Sequence, residues 1–200
     1  MVHRLVVYLV RHGETPSNVQ RRYLGWRNEA MSEQGQIQIE CLKRHLPERP
    51  ISYASDLDRC SETASILFPS VETKVTEQLR EYDFGDFDGR TYEELKELGS
   101  YMQWLNHMEN ITPPNGESFT QFKDRILHFF AQILEDDHHS DEPIAIVTHG
   151  GVIRTMLHHW SKQSDSMWDW LIAPGEAYRV ILVKGEDQWI LSQAESITGS

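Results

Sequence analysis

The chain predicts an α/β fold, a three-layer α/β/α sandwich with helices on both faces of a mainly parallel sheet. Three observations lead there. Residues 5–10 (Leu-Val-Val-Tyr-Leu-Val) and 144–148 (Ile-Ala-Ile-Val-Thr) are continuous apolar, β-branched runs, the pattern of strands covered on both faces. Between the strand-like runs lie segments whose apolar residues recur at helical spacing, and such alternation implies a parallel sheet. Each of the two strongest runs also ends on a histidine followed by glycine, in Arg11-His12-Gly13 and His149-Gly150-Gly151. The carboxyl edge of an open parallel sheet is where ligands bind, and glycine lets backbone come close to them.

The elements follow in order. The strand at 5–10 leads to a helix start at Thr15-Pro16, because proline in the first turn forfeits no helical hydrogen bond. Residues 32–46 read as a helix from Ile37, Cys41, Leu42 and His45 or Leu46. A weaker strand at 51–54 precedes a helix at 57–67, and another weak strand falls at 71–75. Residues 91–117 differ, with Glu93, Glu94, Glu97 and Glu109 interleaved among Tyr92, Leu95, Leu98, Tyr101, Trp104 and Leu105 before Pro113-Pro114-Asn115-Gly116 breaks the chain. They read as two short helices forming a small helical cap insertion, which either covers a site or only packs on the core. Helices at 118–134 and 152–160 flank the strand at 144–148. The runs at 178–183 and 188–192, joined through Gly185-Glu186-Asp187, read as an antiparallel hairpin at one sheet edge. One domain is expected over 1–200, with the insertion at about 91–117 and no internal repeat.

Composition sets further bounds. A chain of 200 residues, 39% hydrophobic and 25% charged, supports one domain with a sizeable core. Its net charge of −12 argues against general affinity for nucleic acid or an anionic membrane, which rests on clustered Lys and Arg. Cys41 and Cys60 form no disulfide framework and no paired zinc spacing, and they read as bystander thiols in a reducing, cytoplasmic setting. The run at 5–10 is too short for a signal-peptide core, and no apolar stretch approaches the length of a membrane span.

The first strand end carries most of the chemistry. Arg11, His12, Gly13, the helix start at Thr15-Pro16 and Asn18 lie within eight residues. Arg11 can grip an anion with its planar fork, Asn18 can add an amide N–H, and a helix starting there would aim free N–H groups at the same spot. This reads as a phosphate-sized anion site with a nucleophile inside it. A second arginine, Arg59, follows the strand at 51–54 near a helix N-terminus, a poor place for a cation unless an anion offsets it. A bound phosphate or the adjacent Asp58 could be that anion. His12 and His149 could alternatively be hydrogen-bonded structural histidines or zinc ligands, although Arg11 and Arg59 would repel a cation. The pairs His138-His139 and His158-His159 read as solvated surface.

The segments Arg-His-Gly-Glu-Thr with Asn18, Ser55 with Leu57, Arg59 and Thr63-Ala64, Leu79 with Glu81 and Gly85, and Thr148-His149-Gly150 resemble the histidine phosphatase superfamily, also called phosphoglycerate mutase-like. The resemblance runs from Leu5 to about Leu157, with four segments in order. It implies that His12 is a nucleophile forming a phosphohistidine that water then hydrolyses. A hydrogen bond from its other ring nitrogen to a carbonyl would fix the reactive tautomer. Arg11, Asn18, Arg59 and His149 would hold the phosphoryl oxygens, and Glu81 would donate a proton to the leaving oxygen, with Asp83 and Asp86 as competitors. Neither metal nor other cofactor is implied. Gly25, after Leu24, and Gly150 would lie against substrate, although Asn28-Glu29-Ala30-Met31 departs from the family's usual Asp-x-Pro-Leu. Trp26, Trp160, Trp168 and Trp170 read as core packing.

Within the family, a mutase needs extra cations to retain a bisphosphate, yet residues 91–117 hold Lys96 alone against five glutamates, and Tyr92 stands where mutases carry a lysine. Pro114-x-Gly116-Glu117-Ser118, followed by Phe122 and Arg125, is more similar to phosphatase branches, including α-ribazole and broad-specificity phosphatases. Tyr92, Tyr101, Trp104 and Phe119 could line an apolar rim for the leaving alcohol or simply hold the cap down. The expected partner is a small phosphomonoester, with a homodimer left open and no nucleic acid or membrane partner.

Overall fold

Six strands make one sheet in the computed structural model, which describes residues 3–135, 142–161, 166–186 and 188–199. They are β1 (Arg4–Arg11), β2 (Ile51–Ser55), β3 (Thr73–Thr76), β4 (Ile144–Thr148), β5 (Ala177–Lys184) and β6 (Trp189–Ile197). Their spatial order is β3-β2-β4-β1-β5-β6. The first four run parallel, and β5 and β6 are antiparallel additions on the β1 side. The two histidine-bearing strands are neighbours in register, with Arg11 opposite Thr148, so the residues that follow them emerge side by side. The β5–β6 hairpin is as predicted, with β6 extending to Ile197 and β3 shifted to Thr73–Thr76. Asp187 of the predicted turn and the pair His138-His139 lie outside the described residues.

The helices are α1 (Pro16–Val19), α2 (Glu33–Leu42), α3 (Asp58–Leu67), α4 (Tyr92–Leu95), α5 (Gly99–Asn106), α6 (Phe119–Leu134) and α7 (Gly150–Trp160). Pleating sends alternate side chains of β1 to opposite faces. Leu5, Val7 and Leu9 join Ile144, Ile146 and the apolar sides of α6 and α7. Val10 joins Ala145 and Val147 against Ile39 and Leu42 of α2 and Cys60, Ala64 and Leu67 of α3. The central strands are therefore buried on both faces, as their β-branched runs require, while the edge strands β3 and β6 stay partly exposed. Among the described residues no helix is long and apolar enough to cross a membrane.

Several local expectations change. The α1 helix is a single turn, closed by a reciprocal cap in which the Thr15 and Asn18 side chains each take the other's backbone N–H. The α2 helix stops at Leu42 and tightens into a short 3-10 turn, Lys43–His45. Residues 91–117 do contain two short helices, but Tyr101, Trp104 and Phe119 are buried and do not form a rim. They pack with Tyr82, Phe84 and Phe87 in one aromatic cluster that fastens this segment to the core. Tyr92 alone of that set stays at the surface, 47% exposed. Trp160 packs in the core as expected, whereas Trp26 is 37% and Trp168 55% exposed. Each exposed indole instead carries a guanidinium on its face, Arg80 at 4.8 Å from Trp26 and Arg154 at 5.7 Å from Trp168.

Candidate active site

The carboxyl ends of β1, β2 and β4 bring together Arg11 and His12, Ser55, and Thr148 and His149. The His12 N–H continues the ladder by donating to the Thr148 carbonyl at 3.0 Å. The two imidazole centroids are then 5.2 Å apart, nearly edge to face. His12 Nδ1 lies 2.8 Å from the Gly13 carbonyl, which can only accept, so Nδ1 carries the proton and Nε2 presents its lone pair. In His149 the order is reversed: Arg59 Nε donates to Nδ1 at 3.3 Å, leaving Nε2–H to donate to Ser55 Oγ at 3.0 Å. Burial first, and then the charges of Arg59 and Arg11, hold His12 well below the usual histidine value of 6.5. Burial, Arg59, His12 and Arg11 do the same for His149. Both rings are therefore held neutral, and His149 acts here as a hydrogen-bonding group and not as a cation.

Two guanidiniums share this pocket without a carboxylate partner among the described residues. Arg59, fully buried in the first turn of α3, donates Nη2 to the Gly25 carbonyl at 2.7 Å and Nη1 to that of Arg27 at 3.0 Å. Both carbonyls are set by Asp88, whose carboxylate accepts the N–H groups of Gly25 and Arg27. Gly25 is thus part of the frame that orients Arg59. Asp58 is exposed, its backbone N–H donates to Asn28 Oδ1 at 2.9 Å, and its carboxylate is not among the charges that act on Arg59, so it is not the anion that offsets it. Arg11 donates Nη1 to the Ile172 carbonyl at 2.8 Å, while its buried Nε has no partner. Burial pushes the Arg11 guanidinium down from 12.5 to about 10, although Glu81 and Glu176 pull the other way. Gly150 leaves room beside this guanidinium, since a Cβ there would crowd Arg11 Cζ at 3.3 Å.

Glu81 faces the same pocket from the loop after Leu79. Its Oε2 accepts the Gly151 N–H in the first turn of α7 at 2.9 Å, and its Oε1 accepts the Tyr82 N–H. Gly151 permits that approach, since a Cβ would sit 2.2 Å from Glu81 Oε1. Asp83 and Asp86 are engaged elsewhere, Asp83 with the Gly85 N–H and Asp86 with the Asn115 amide. Burial raises the Asp83 carboxyl.

The amides of α1 do not serve this pocket, contrary to expectation, because they are already taken. Asn18 N–H is capped by Thr15, and Ser17 N–H donates to Glu29. The helix that does start at the site is α7, two residues earlier than its apolar periodicity suggests, with His149 as its N-cap. Asn18 keeps its side-chain NH₂, since only Oδ1 enters the cap. It lines a cavity of about 390 Å³ together with Arg11, Arg21, Arg22, Tyr23 and Tyr92. The adjacent Arg21-Arg22, which sequence reasoning passed over, was the available signal for this wall. Arg22 ties the wall to the 91–117 segment through Glu94 at 2.9 Å.

Cys60 was also missed as a neighbour of the site. Its Sγ lies 3.5 Å from His149 Nε2, but burial pushes the thiol up to about 12, so it packs as a neutral group. His158 and His159 are exposed in the last turn of α7, as expected. No cluster of three metal-ligating side chains occurs among the described residues. Chemically, the arrangement offers a neutral imidazole with a free lone pair, two guanidiniums lacking counter-anions and a carboxyl group close by. That set suits nucleophilic attack on a bound anion.

Comparison with known proteins identifies the family and the fold. The family described as histidine phosphatase superfamily (branch 1) matches residues 7–195. An adenosylcobalamin/α-ribazole phosphatase of Salmonella typhimurium is 30% identical over 177 residues, which cover 84% of this chain and 86% of that protein. A phosphoglycerate mutase of Schizosaccharomyces pombe is 28% identical over 163 residues, covering 76% and 77%. Among solved structures, the α-ribazole phosphatase of Shigella flexneri superposes with a TM-score of 0.83 at 26% identity, over 98% of this chain and 96% of that one.

Proposed function

Because the chain belongs to branch 1 of the histidine phosphatase superfamily, whose members are phosphatases or mutases, we propose that it hydrolyses a small phosphomonoester through a phosphohistidine at His12. His12 Nε2 attacks phosphorus opposite the leaving oxygen. As the new N–P bond forms, the P–O bond breaks and its electron pair goes to that oxygen, which takes a proton from Glu81. Arg11, Arg59 and the Asn18 amide hold the non-bridging oxygens, where charge concentrates during transfer, and His149 joins them by exchanging its Nε2–H bond to Ser55 Oγ for one to a phosphoryl oxygen. Gly150 leaves room beside the Arg11 guanidinium. Glu81, now a carboxylate, takes a proton from water as that water attacks phosphorus; the N–P bond breaks, its electron pair returns to His12 Nε2, and phosphate leaves with His12 neutral and Glu81 protonated as at the start. Guanidiniums and N–H donors carry the charge at every step.

The observation behind this reading is a neutral imidazole, its lone pair free, beside the buried Arg11 guanidinium whose Nε has no partner. A buried cation with an orphaned donor is costly unless an anion completes it. Hydrolysis is favoured over mutase chemistry by the charge of the 91–117 segment. Its one cation, Lys96, is drawn away to Glu93 at 2.6 Å on the exposed side of α4. Tyr92 therefore faces the cavity without a neighbouring lysine, and nothing in that segment would retain a bisphosphate. α-Ribazole phosphate is the first substrate to try, within a screen of phosphoserine, sugar phosphates and nucleotides.

Purified protein should hydrolyse p-nitrophenyl phosphate and His12→Ala should not. Activity that survives His12→Ala, or wild-type protein inert to the whole screen, would sink the proposal and leave a phosphoanion-binding module. Faster interconversion of 2- and 3-phosphoglycerate than hydrolysis would replace it with the mutase reading.

A further inference from the structure

Arg125, on α6, occupies all five of its N–H donors on a single stretch of irregular backbone and one carboxylate. Nη1 donates to the carbonyls of Gln78 at 2.9 Å and Arg80 at 2.7 Å, and Nη2 to that of Glu81 at 2.8 Å. Nε and Nη2 form a two-pronged pair with Glu117, at 3.0 and 2.6 Å. Glu117 Oε1 then accepts the Asp83 N–H at 2.9 Å, and Trp26 Nε1 adds a second donor to the Glu81 carbonyl at 2.8 Å. Backbone groups at positions 78, 80, 81 and 83 are thereby held by one fork and its counter-ion. This stretch has no strand ladder of its own; Thr148 Oγ1 anchors the Leu79 carbonyl at 2.7 Å, and from Arg80 to Asp83 the backbone carbonyls and N–H groups are held chiefly by this fork, Glu117 and Trp26.

The α6 helix does not need this fork to dock. Phe119, Phe122, Ile126, Phe129, Phe130 and Ile133 already bury its apolar face. What the fork determines is the backbone that launches the Glu81 side chain toward the Gly151 N–H. A shift of about 1 Å at a proton donor is enough to lose much of its effect. A lysine cannot substitute, because a single ammonium lacks the planar fork that reaches three carbonyls and a carboxylate together.

Resting on the reading of Glu81 as the proton donor, we infer that Arg125, held by Glu117, is a positioning residue that aims Glu81 at the leaving oxygen. A brace that merely stabilised the fold would lower activity on every ester alike. A positioning residue instead matters in proportion to how much the leaving group needs its proton.

The test compares phenyl phosphate, whose leaving group needs protonation, with p-nitrophenyl phosphate, whose leaving group departs largely unaided. Arg125→Lys should lower kcat/KM on phenyl phosphate about 10- to 100-fold and on p-nitrophenyl phosphate less than about 3-fold, since general acids contribute about 100- to 10,000-fold. The double variant Arg125→Lys/Glu81→Gln should be no slower on phenyl phosphate than Glu81→Gln alone. Equal losses on both esters, or losses that multiply in the double variant, overturn the inference. If Arg125→Lys does not fold, Glu117→Gln keeps the volume, weakens the fork and answers the same question. Selective loss in Glu81→Gln without selective loss in the Arg125 and Glu117 variants refutes this inference alone. Activity surviving His12→Ala refutes the phosphatase reading beneath it.

Discussion

Removing the Arg11 charge should stabilise the unliganded protein while abolishing its activity. Burial lowers the guanidinium from 12.5 to about 10, and at about 1.36 kcal/mol per unit the folded state carries about 3 kcal/mol of uncompensated charge at neutral pH. Because this cation's folded value lies below its unfolded one, the penalty is fully present at pH 7, where both states are protonated. Arg11→Met keeps the apolar stem and removes the charge, at the loss of one hydrogen bond to the Ile172 carbonyl, about 1.5 kcal/mol. The net gain of about 1.5 kcal/mol should raise Tm by about 3 to 6 °C for a chain of this size in phosphate-free buffer. Phosphate should reverse the ranking. Saturating phosphate stabilises wild type by about 2.7 kcal/mol at a hundred times its Kd and should leave Arg11→Met nearly unmoved. Differential scanning calorimetry with and without phosphate reads both effects. A variant that melts several degrees below wild type, or that gains as much from phosphate, would refute the argument that Arg11 awaits an anion.

Two further outcomes follow from contacts at the strand ends. Gly151→Ala puts a Cβ where Glu81 Oε1 now lies, so the carboxylate must swing away. Phenyl phosphate hydrolysis should fall about 100-fold with a much smaller loss on p-nitrophenyl phosphate, while Tm holds or rises because alanine is the better helix former; undiminished phenyl phosphate hydrolysis would show that Glu81 is not the donor. His12 and His149 give a pH dependence of stability. Their folded values lie below 6.5, so stability is complete above the unfolded value and is lost as pH falls below it, when the unfolded chain binds protons the fold refuses. The slope should approach about 1.4 kcal/mol per pH unit for each histidine, and His12→Asn should flatten it in urea titrations between about pH 7 and 5. An unchanged slope would mean that the His12 ring is not held neutral.

The strand ends were legible because their signals are local. A β-branched run that stops at Arg11-His12-Gly13 announces a buried strand and its functional edge, and the same holds for Thr148-His149-Gly150. Register then placed Arg11 opposite Thr148, and Arg59 arrived from the end of β2 by the same logic. The parts that could not be read depend on pairings between distant segments. Nothing near Glu81 announces that its partner is the Gly151 N–H, or that Arg125 and Trp26 hold its carbonyl. Apolar spacing in residues 91–117 correctly gave two helices, but period alone does not say which aromatics face substrate and which face the core. The N–H groups of α1 were assigned to an anion because proline marks the helix start, yet the capping contacts of Thr15 and Asn18 and the reach of Glu29 had already claimed them.

The central claim is that His12 Nε2 becomes covalently attached to phosphorus. Wild-type protein mixed rapidly with p-nitrophenyl phosphate and quenched in base, which preserves phosphohistidine, should yield a peptide carrying one phosphoryl group on His12. The label should be lost on acid treatment, decay at the rate of turnover, and be absent from His12→Ala. A full burst of p-nitrophenol with no phosphoryl group on any peptide, or a phosphoryl group found on another residue and turning over at the catalytic rate, would contradict the account.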